Sequence, residues 1–161
     1  MDYMALALQA MRSGPAGRDP PVGAVLVIGD EVVGAARNRI VSARSLLAHA
    51  ENSLLIRHSK AVFRAFAVAP RKPVTIYTTL EPCLLCTAAA AHSRVARIVY
   101  ACRDSMAGCC NHAPPEGWYR ENWPRLEHDD KHEADVARVV YQSTDGRGPL
   151  AAAMRELIGP A

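Results

Sequence analysis

Any fold for this chain has to bring His49-Ala50-Glu51 against Pro82-Cys83-Leu84-Leu85-Cys86, two short segments separated by a candidate strand. Cys83 and Cys86 stand three apart, which places them on one face of a helix. Two thiolates so arranged bind a single zinc ion at about 2.3 Å each. The positive end of a helix also favours thiolate over thiol. His49 supplies a third protein ligand. Three protein ligands leave the fourth tetrahedral position for water, as in a catalytic zinc site rather than a structural one. A thioredoxin-like C-x-x-C needs no upstream His-x-Glu. A structural site needs a fourth ligand, yet the sequence holds no second C-x-x-C.

Glu51 lies two residues after His49, so both fit the first turn of one helix and flank a metal without both binding it. Zinc lowers the pKa of its water towards about 7. A carboxylate beside that water can take its proton and return it to a leaving amine. That chemistry replaces an exocyclic C–NH₂ by C=O and releases ammonia. Pro82 reads as the first residue of the second helix, where its missing N–H costs nothing.

The rest of the chain places these motifs on regular elements. Tyr3 to Arg12 carries Met4, Ala7, Leu8 and Met11 on one helical stripe. Ser13 to Pro20 is a Gly- and Pro-rich loop. Val22 to Ile28 reads as a buried strand, Gly29-Asp30 as a turn, and Val32 to Ala36 as the returning hairpin strand. Arg39 to Leu47 leads to the His49 helix, which runs to about His58. Val62 to Lys72 is either loop or short helix. Val74 to Thr79 is a third strand, Cys83 to His92 the second ligand-bearing helix, and Arg97 to Cys102 a fourth strand. The two ligand-bearing helices then lie side by side with their N-termini at one edge. Glu127 to Glu133 reads as a charged helix start, Asp135 to Tyr141 as helix or edge strand, and Ala151 to Ile158 as helix. This order indicates an α/β domain with a mixed sheet.

Asp104 to Asp130 is a long loop holding Cys109, Cys110, Trp118 and Trp123. Loops of this length serve as lids or binding loops. The two Trp residues either stack on a substrate base or close the core or a dimer interface. Cys102, Cys109, Cys110 and His112 match no common metal-site spacing.

H-A-E followed by T-L-E-P-C-L-L-C is the H-x-E…P-C-x-x-C signature of zinc deaminases. With Pro21 to Val27, Arg37-Asn38-Arg39, His92-Ser93-Arg94-Val95 and Ala101-Cys102-Arg103-Asp104, the chain resembles the cytidine deaminase-like superfamily. Within it, roughly residues 5–108 resemble the tRNA adenosine deaminase branch. The resemblance implies a three-layer α-β-α sandwich with a mixed sheet of about five strands. It implies that His49, Cys83 and Cys86 bind one Zn²⁺ per subunit and that Glu51 moves protons. It further implies that Asn38 hydrogen-bonds the substrate, that the Ala50 backbone contacts its ring, that Asp104 lies near the sugar or an adjacent nucleotide, and that the protein is a homodimer or tetramer. After Gly108 the sequence departs from the branch: Cys109-Cys110-Asn111-His112-Ala113-Pro114-Pro115 replaces a run of small residues, and no basic, aromatic terminal helix is evident.

At 161 residues the expectation is one domain spanning 1–161. No apolar run approaches the roughly 20 residues of a membrane helix, and the N-terminus has no basic stretch followed by an apolar core. Five cysteines is an odd count with two assigned to zinc, which fits a reducing cytoplasm. Charge is divided: residues 1–103 hold 13 Lys+Arg against 6 Asp+Glu, net +7, and residues 104–161 hold 6 against 10, net −4. RNA binding asks for a basic surface, which the front supplies and the tail does not. The expected function is therefore a zinc-dependent hydrolytic deaminase of a small substrate, a free nucleobase or nucleoside. Two alternatives stand beside it: adenosine-to-inosine deamination of a tRNA anticodon, and a non-catalytic zinc-binding partner subunit.

Overall fold

The computed structural model describes residues 1–14, 18–110 and 112–143, together with 147, 152, 154, 155 and 157. Five strands form one sheet: β1 Gly23–Ile28, β2 Glu31–Arg37, β3 Val74–Leu80, β4 Arg97–Cys102 and β5 Arg125–His128. Their order is β2-β1-β3-β4-β5, with β1 antiparallel to both neighbours and β3, β4 and β5 mutually parallel. Every residue of β1 is buried, so both faces of the sheet are covered. This is why the strand reads as a continuous apolar run rather than an alternating one.

The helices are α1 Tyr3–Arg12, α2 Ala50–Arg57, α3 Ser59–Ala67, α4 Leu84–His92, α5 Trp118–Asn122 and α6 Glu133–Ser143. Tyr77 and Thr78 are consecutive on β3 and so point to opposite faces. Tyr77 meets the ring of Tyr3 on α1, whereas Thr78 meets Glu51 on α2. The two helices therefore lie in different layers. Helix α4 packs against α2, and Asp2 before α1 contacts Lys131 and His132 before α6. The result is a three-layer α-β-α sandwich.

Asp2 caps α1 by accepting from the Ala5 N–H at 3.1 Å, and Met4, Ala7, Leu8 and Met11 are buried beneath it. The helix sits so close to β1 that a Cβ on Gly23 would come within 2.2 Å of the Ala7 carbonyl oxygen. Leu26, Ile76 and Ile98, one from each central strand, are fully buried at the middle of the core.

Of the two readings left open for Val62 to Lys72, the short helix is found: α3 starts at Ser59, immediately after α2, and buries Val62 and Ala65. Two expectations change. The charged stretch near Glu127 is not a helix start. Arg125–His128 forms the fifth strand, and a 3-10 turn over Asp130–His132 precedes α6. This strand lies at the sheet edge, where one side meets solvent and charged residues are tolerated. Pro82 is not the first helical residue either, because Cys83 is the N-cap and Pro82 precedes it. Half of the Ala151 to Ile158 stretch, and part of the Ser13 to Pro20 loop, lie outside the described residues.

Candidate metal and active site

The two ligand-bearing segments meet because two helices begin at the same place. His49 is the N-cap of α2, with φ −64° and ψ 153°, and Cys83 is the N-cap of α4, with φ −72° and ψ 168°. Both caps are extended residues just outside their helices, and Cys86 follows in the first turn of α4. Two helix N-termini aimed at one point favour anionic groups there.

His49 Nδ1 lies 3.8 Å from Cys83 Sγ and 3.5 Å from Cys86 Sγ. The three donor atoms lie within 4.8 Å of one another, and among the described residues no other cluster of His, Cys, Asp and Glu meets that condition. A tetrahedral zinc with Zn–N and Zn–S bonds of ordinary length sets N to S about 3.6 Å apart. The observed separations are those edges. The donor set makes the same demand electrically. The hydrogen bond from Cys86 lowers the Cys83 thiol to about 6, while that bond, burial and the Glu51 charge raise the Cys86 thiol. Two thiolates beside a carboxylate cannot all ionise without a cation between them. The site therefore fits a divalent zinc ion.

Glu51, one residue beyond Ala50 and fully within α2, is 3% exposed. Its Oε1 accepts the Thr78 hydroxyl at 2.8 Å and its Oε2 accepts the Cys86 thiol at 3.4 Å. Strand β3 thus fixes one carboxylate oxygen and leaves the other facing the ligand cluster. Thr87 steadies the opposite side by donating its hydroxyl to the Cys83 carbonyl at 3.0 Å.

Asn38, just past β2, is buried. Its N–H bonds the Val22 carbonyl and its Oδ1 accepts the Ile40 N–H at 3.0 Å, a local turn that commits the oxygen. The next residue, Arg39, donates its N–H to the Ala48 carbonyl, one residue before His49. Asn38 is therefore tied to the ligand-bearing end of α2. Ala50 is completely buried at the start of that helix. Asp104 is used differently: its Oδ1 accepts the N–H groups of Met106 and Ala107, closing a turn in its own loop.

Two organising carboxylates went unread in the sequence. Glu81 is buried between β3 and Cys83. Its Oε2 accepts the Asp104 N–H at 3.1 Å and its Oε1 the Cys110 N–H at 2.8 Å. One side chain therefore holds both ends of the 104–110 loop. Gly108 packs so tightly there that a Cβ would lie 2.4 Å from the Glu81 carboxyl, and its backbone pairs with Cys83. Asp19 does the same for the loop after Asn38, accepting from Arg37 at 3.2 Å and from the Val41 and Ser42 N–H groups at 2.8 Å. For Glu81 the available signal was an acid at the end of an apolar strand, since buried charge is rare without partners.

The loop tryptophans lie elsewhere. Trp118 is 5.0 Å from the ring of His92, and Tyr119 bonds His92 Nε2 at 2.7 Å. His92 ends the helix that begins beside Cys83, about 13 Å away at 1.5 Å per residue. Stacking on a substrate base at the metal site is thus not available to Trp118 within one subunit. Cys102, Cys109, Cys110 and His112 form no metal cluster among the described residues. Cys102 contacts Met154, and burial pushes its thiol up to about 12.

Comparison with known proteins covers the stretch of chain that holds these residues. The model of the cytidine and deoxycytidylate deaminase zinc-binding region covers residues 1–102. The tRNA-specific adenosine deaminase of Bacillus subtilis is 30% identical over 157 residues, 96% of this chain and 88% of that protein. The tRNA-specific adenosine deaminase of Agrobacterium fabrum is 32% identical over 125 residues, 70% of this chain and 79% of that protein. A solved tRNA:A34 deaminase shares 28% identity at a TM-score of 0.64, over 79% of this chain and 96% of its own. Guanine deaminase from Nitrosomonas europaea shares the fold, with 19% identity and a TM-score of 0.71 over 89% and 83% of the two chains.

Proposed function

This chain belongs to the cytidine and deoxycytidylate deaminase zinc-binding family, and from that membership we propose that it deaminates adenosine to inosine in a tRNA anticodon. The observation that carries this reading is the match to a tRNA-specific adenosine deaminase across 96% of the chain. That match runs through the acidic tail, so the sign of the tail no longer argues for a free nucleobase or nucleoside. His49, Cys83 and Cys86 would hold one zinc per subunit, and Asn38 would use its amide NH₂, because its oxygen is engaged, to reach the substrate. The Ala50 backbone would contact the ring, and the loop closed by Asp104 would border the adjacent nucleotide. When bound, zinc supplies a Lewis acid that makes water nucleophilic near neutral pH.

The chain's own residues do the rest. Thr78 holds Glu51 Oε1, so the carboxylate presents Oε2 towards the cluster. Glu51 takes a proton from the attacking water and delivers it to the departing amine. Water adds to C6 of the adenine, the C6–N bond breaks, and ammonia leaves. Burial of Glu51 keeps that proton from exchanging freely with solvent.

We read the protein as a single domain, cytoplasmic, acting as a homodimer. Among the described residues no helix is long and apolar enough to cross a membrane. The test is ammonia release from an anticodon stem-loop beside adenine, guanine, cytosine and their nucleosides. Turnover of the stem-loop supports the proposal. Turnover of a free base or nucleoside alone replaces it with a small-molecule deaminase. Bound zinc with no turnover on any substrate replaces it with a non-catalytic subunit, a role that the placement of Glu51 argues against.

A further inference from the structure

A groove of about 510 Å³ runs along the edge strand β2, lined by Arg18, Arg37, Arg39 and Arg57 with Ser42. Among the described residues only one of the four guanidiniums has a carboxylate partner. Arg37 pairs with Asp19 at 3.2 Å, and the other oxygen of Asp19 is taken by two backbone N–H groups. Among the described residues Arg18, Arg39 and Arg57 form no ion pair. Gathering unpaired like charges around a concavity is unfavourable until an anion enters it. Guanidinium forks match phosphate oxygens two at a time, which a solvated surface face does not require.

The groove starts where the candidate active site begins. Arg37 and Arg39 flank the buried Asn38, and Arg39 is bonded through its N–H to Ala48, beside the ligand His49. Arg57 stands in the last turn of α2, about 10 Å along that helix from Ala50. A phosphate held here would belong to the same molecule as a base reaching the metal site.

We propose that this groove binds phosphate carried by the substrate nucleotide or its immediate neighbours. The proposal rests on the tRNA reading for the source of that phosphate, a phosphodiester of RNA. A nucleoside 5′-monophosphate offers the same chemistry from a second source. Binding is read by fluorescence anisotropy of a labelled anticodon stem-loop over a KCl series. The proteins are the wild type, Arg57→Gln, Arg18→Gln with Arg57→Gln, and Arg57→Lys. Metal content and thermal midpoint check that each variant is folded. Each lost charge should weaken binding and reduce the slope of log K against log salt by about one, while Arg57→Lys keeps the slope. Unchanged slopes in both Gln proteins would overturn the groove and leave the tRNA reading standing. Where the wild type neither binds nor deaminates the stem-loop, the tRNA reading falls, and adenosine 5′-monophosphate decides for the groove. A preference for it over adenosine that is lost in Arg57→Gln supports a phosphate site, and no such dependence overturns it.

Discussion

Helix α4 has two differently built ends. At its start, Cys83 and Cys86 face His49, and their neighbours Glu51, Thr78, Glu81 and Thr87 are all buried and hydrogen-bonded. At its finish, His92, Trp118 and Tyr119 stack in the open, with Trp118 40% exposed. Arg94 turns the chain at φ 58° just past the helix and lays its guanidinium over Trp118 and Phe66. The first end is held by bonds to the sheet, which fix atoms to fractions of an ångström. The second is held on the surface by ring and cation contacts and by the hydrogen bonds of His92 with Tyr119 and of Arg94 with Asn122, none of which reaches the sheet. Chemistry belongs at the end that cannot move.

The contrast can be broken most severely at the ligands. Cys86→Ala should abolish turnover and zinc retention together, checked by metal analysis of the purified protein beside ammonia release. Retained stoichiometric zinc would show that the three-ligand site is misread. Glu51→Gln should keep the metal and lose about 10²- to 10⁴-fold in rate. Wild-type turnover in that variant would remove the proton carrier assigned here. Glu81→Ala sharpens the comparison, because it leaves both ends of the 104–110 loop without their acceptor. It should cost about 2 kcal/mol, seen as a lower denaturation midpoint and faster amide exchange at Asp104 and Cys110. Exchange unchanged at those two amides would mean that the loop holds itself. Trp118→Ala, at the other end, should cost about 1 kcal/mol or less and leave single-subunit zinc affinity as it was. A zinc defect there would join two ends that the structure keeps apart.

What the sequence made legible follows the same division. The helix Tyr3–Arg12 and strands β1, β3 and β4 were readable because their burial is periodic or continuous, and Arg97–Cys102 fell within its expected bounds. His49, Glu51, Cys83 and Cys86 stood out because only certain atoms bind zinc at that spacing, and the fold brings them together. Asn38 and Asp104 were visible only through resemblance. Glu81 was missed because it acts on backbone N–H groups 23 and 29 residues further on, which carry no side-chain signature. Strand β5 was missed because its residues Arg125, Glu127 and His128 pair with one another, with α6 and with β4 rather than alternating in polarity. Trp118 gave no hint of which end of α4 it would reach.

The position of the ligands at helix caps has a consequence for how this protein can change. His49 and Cys83 precede their helices, and Glu51 and Cys86 occupy the first turns. Everything from the second turn onward lies downstream of the metal seat and supplies none of its atoms. Residues such as Arg57 and His92, at the far ends, can be exchanged or the helices lengthened without re-registering the ligands. The deaminating centre is thereby uncoupled from the distal turns of two short helices, which can vary in sequence and length while the caps that seat it stay where they are.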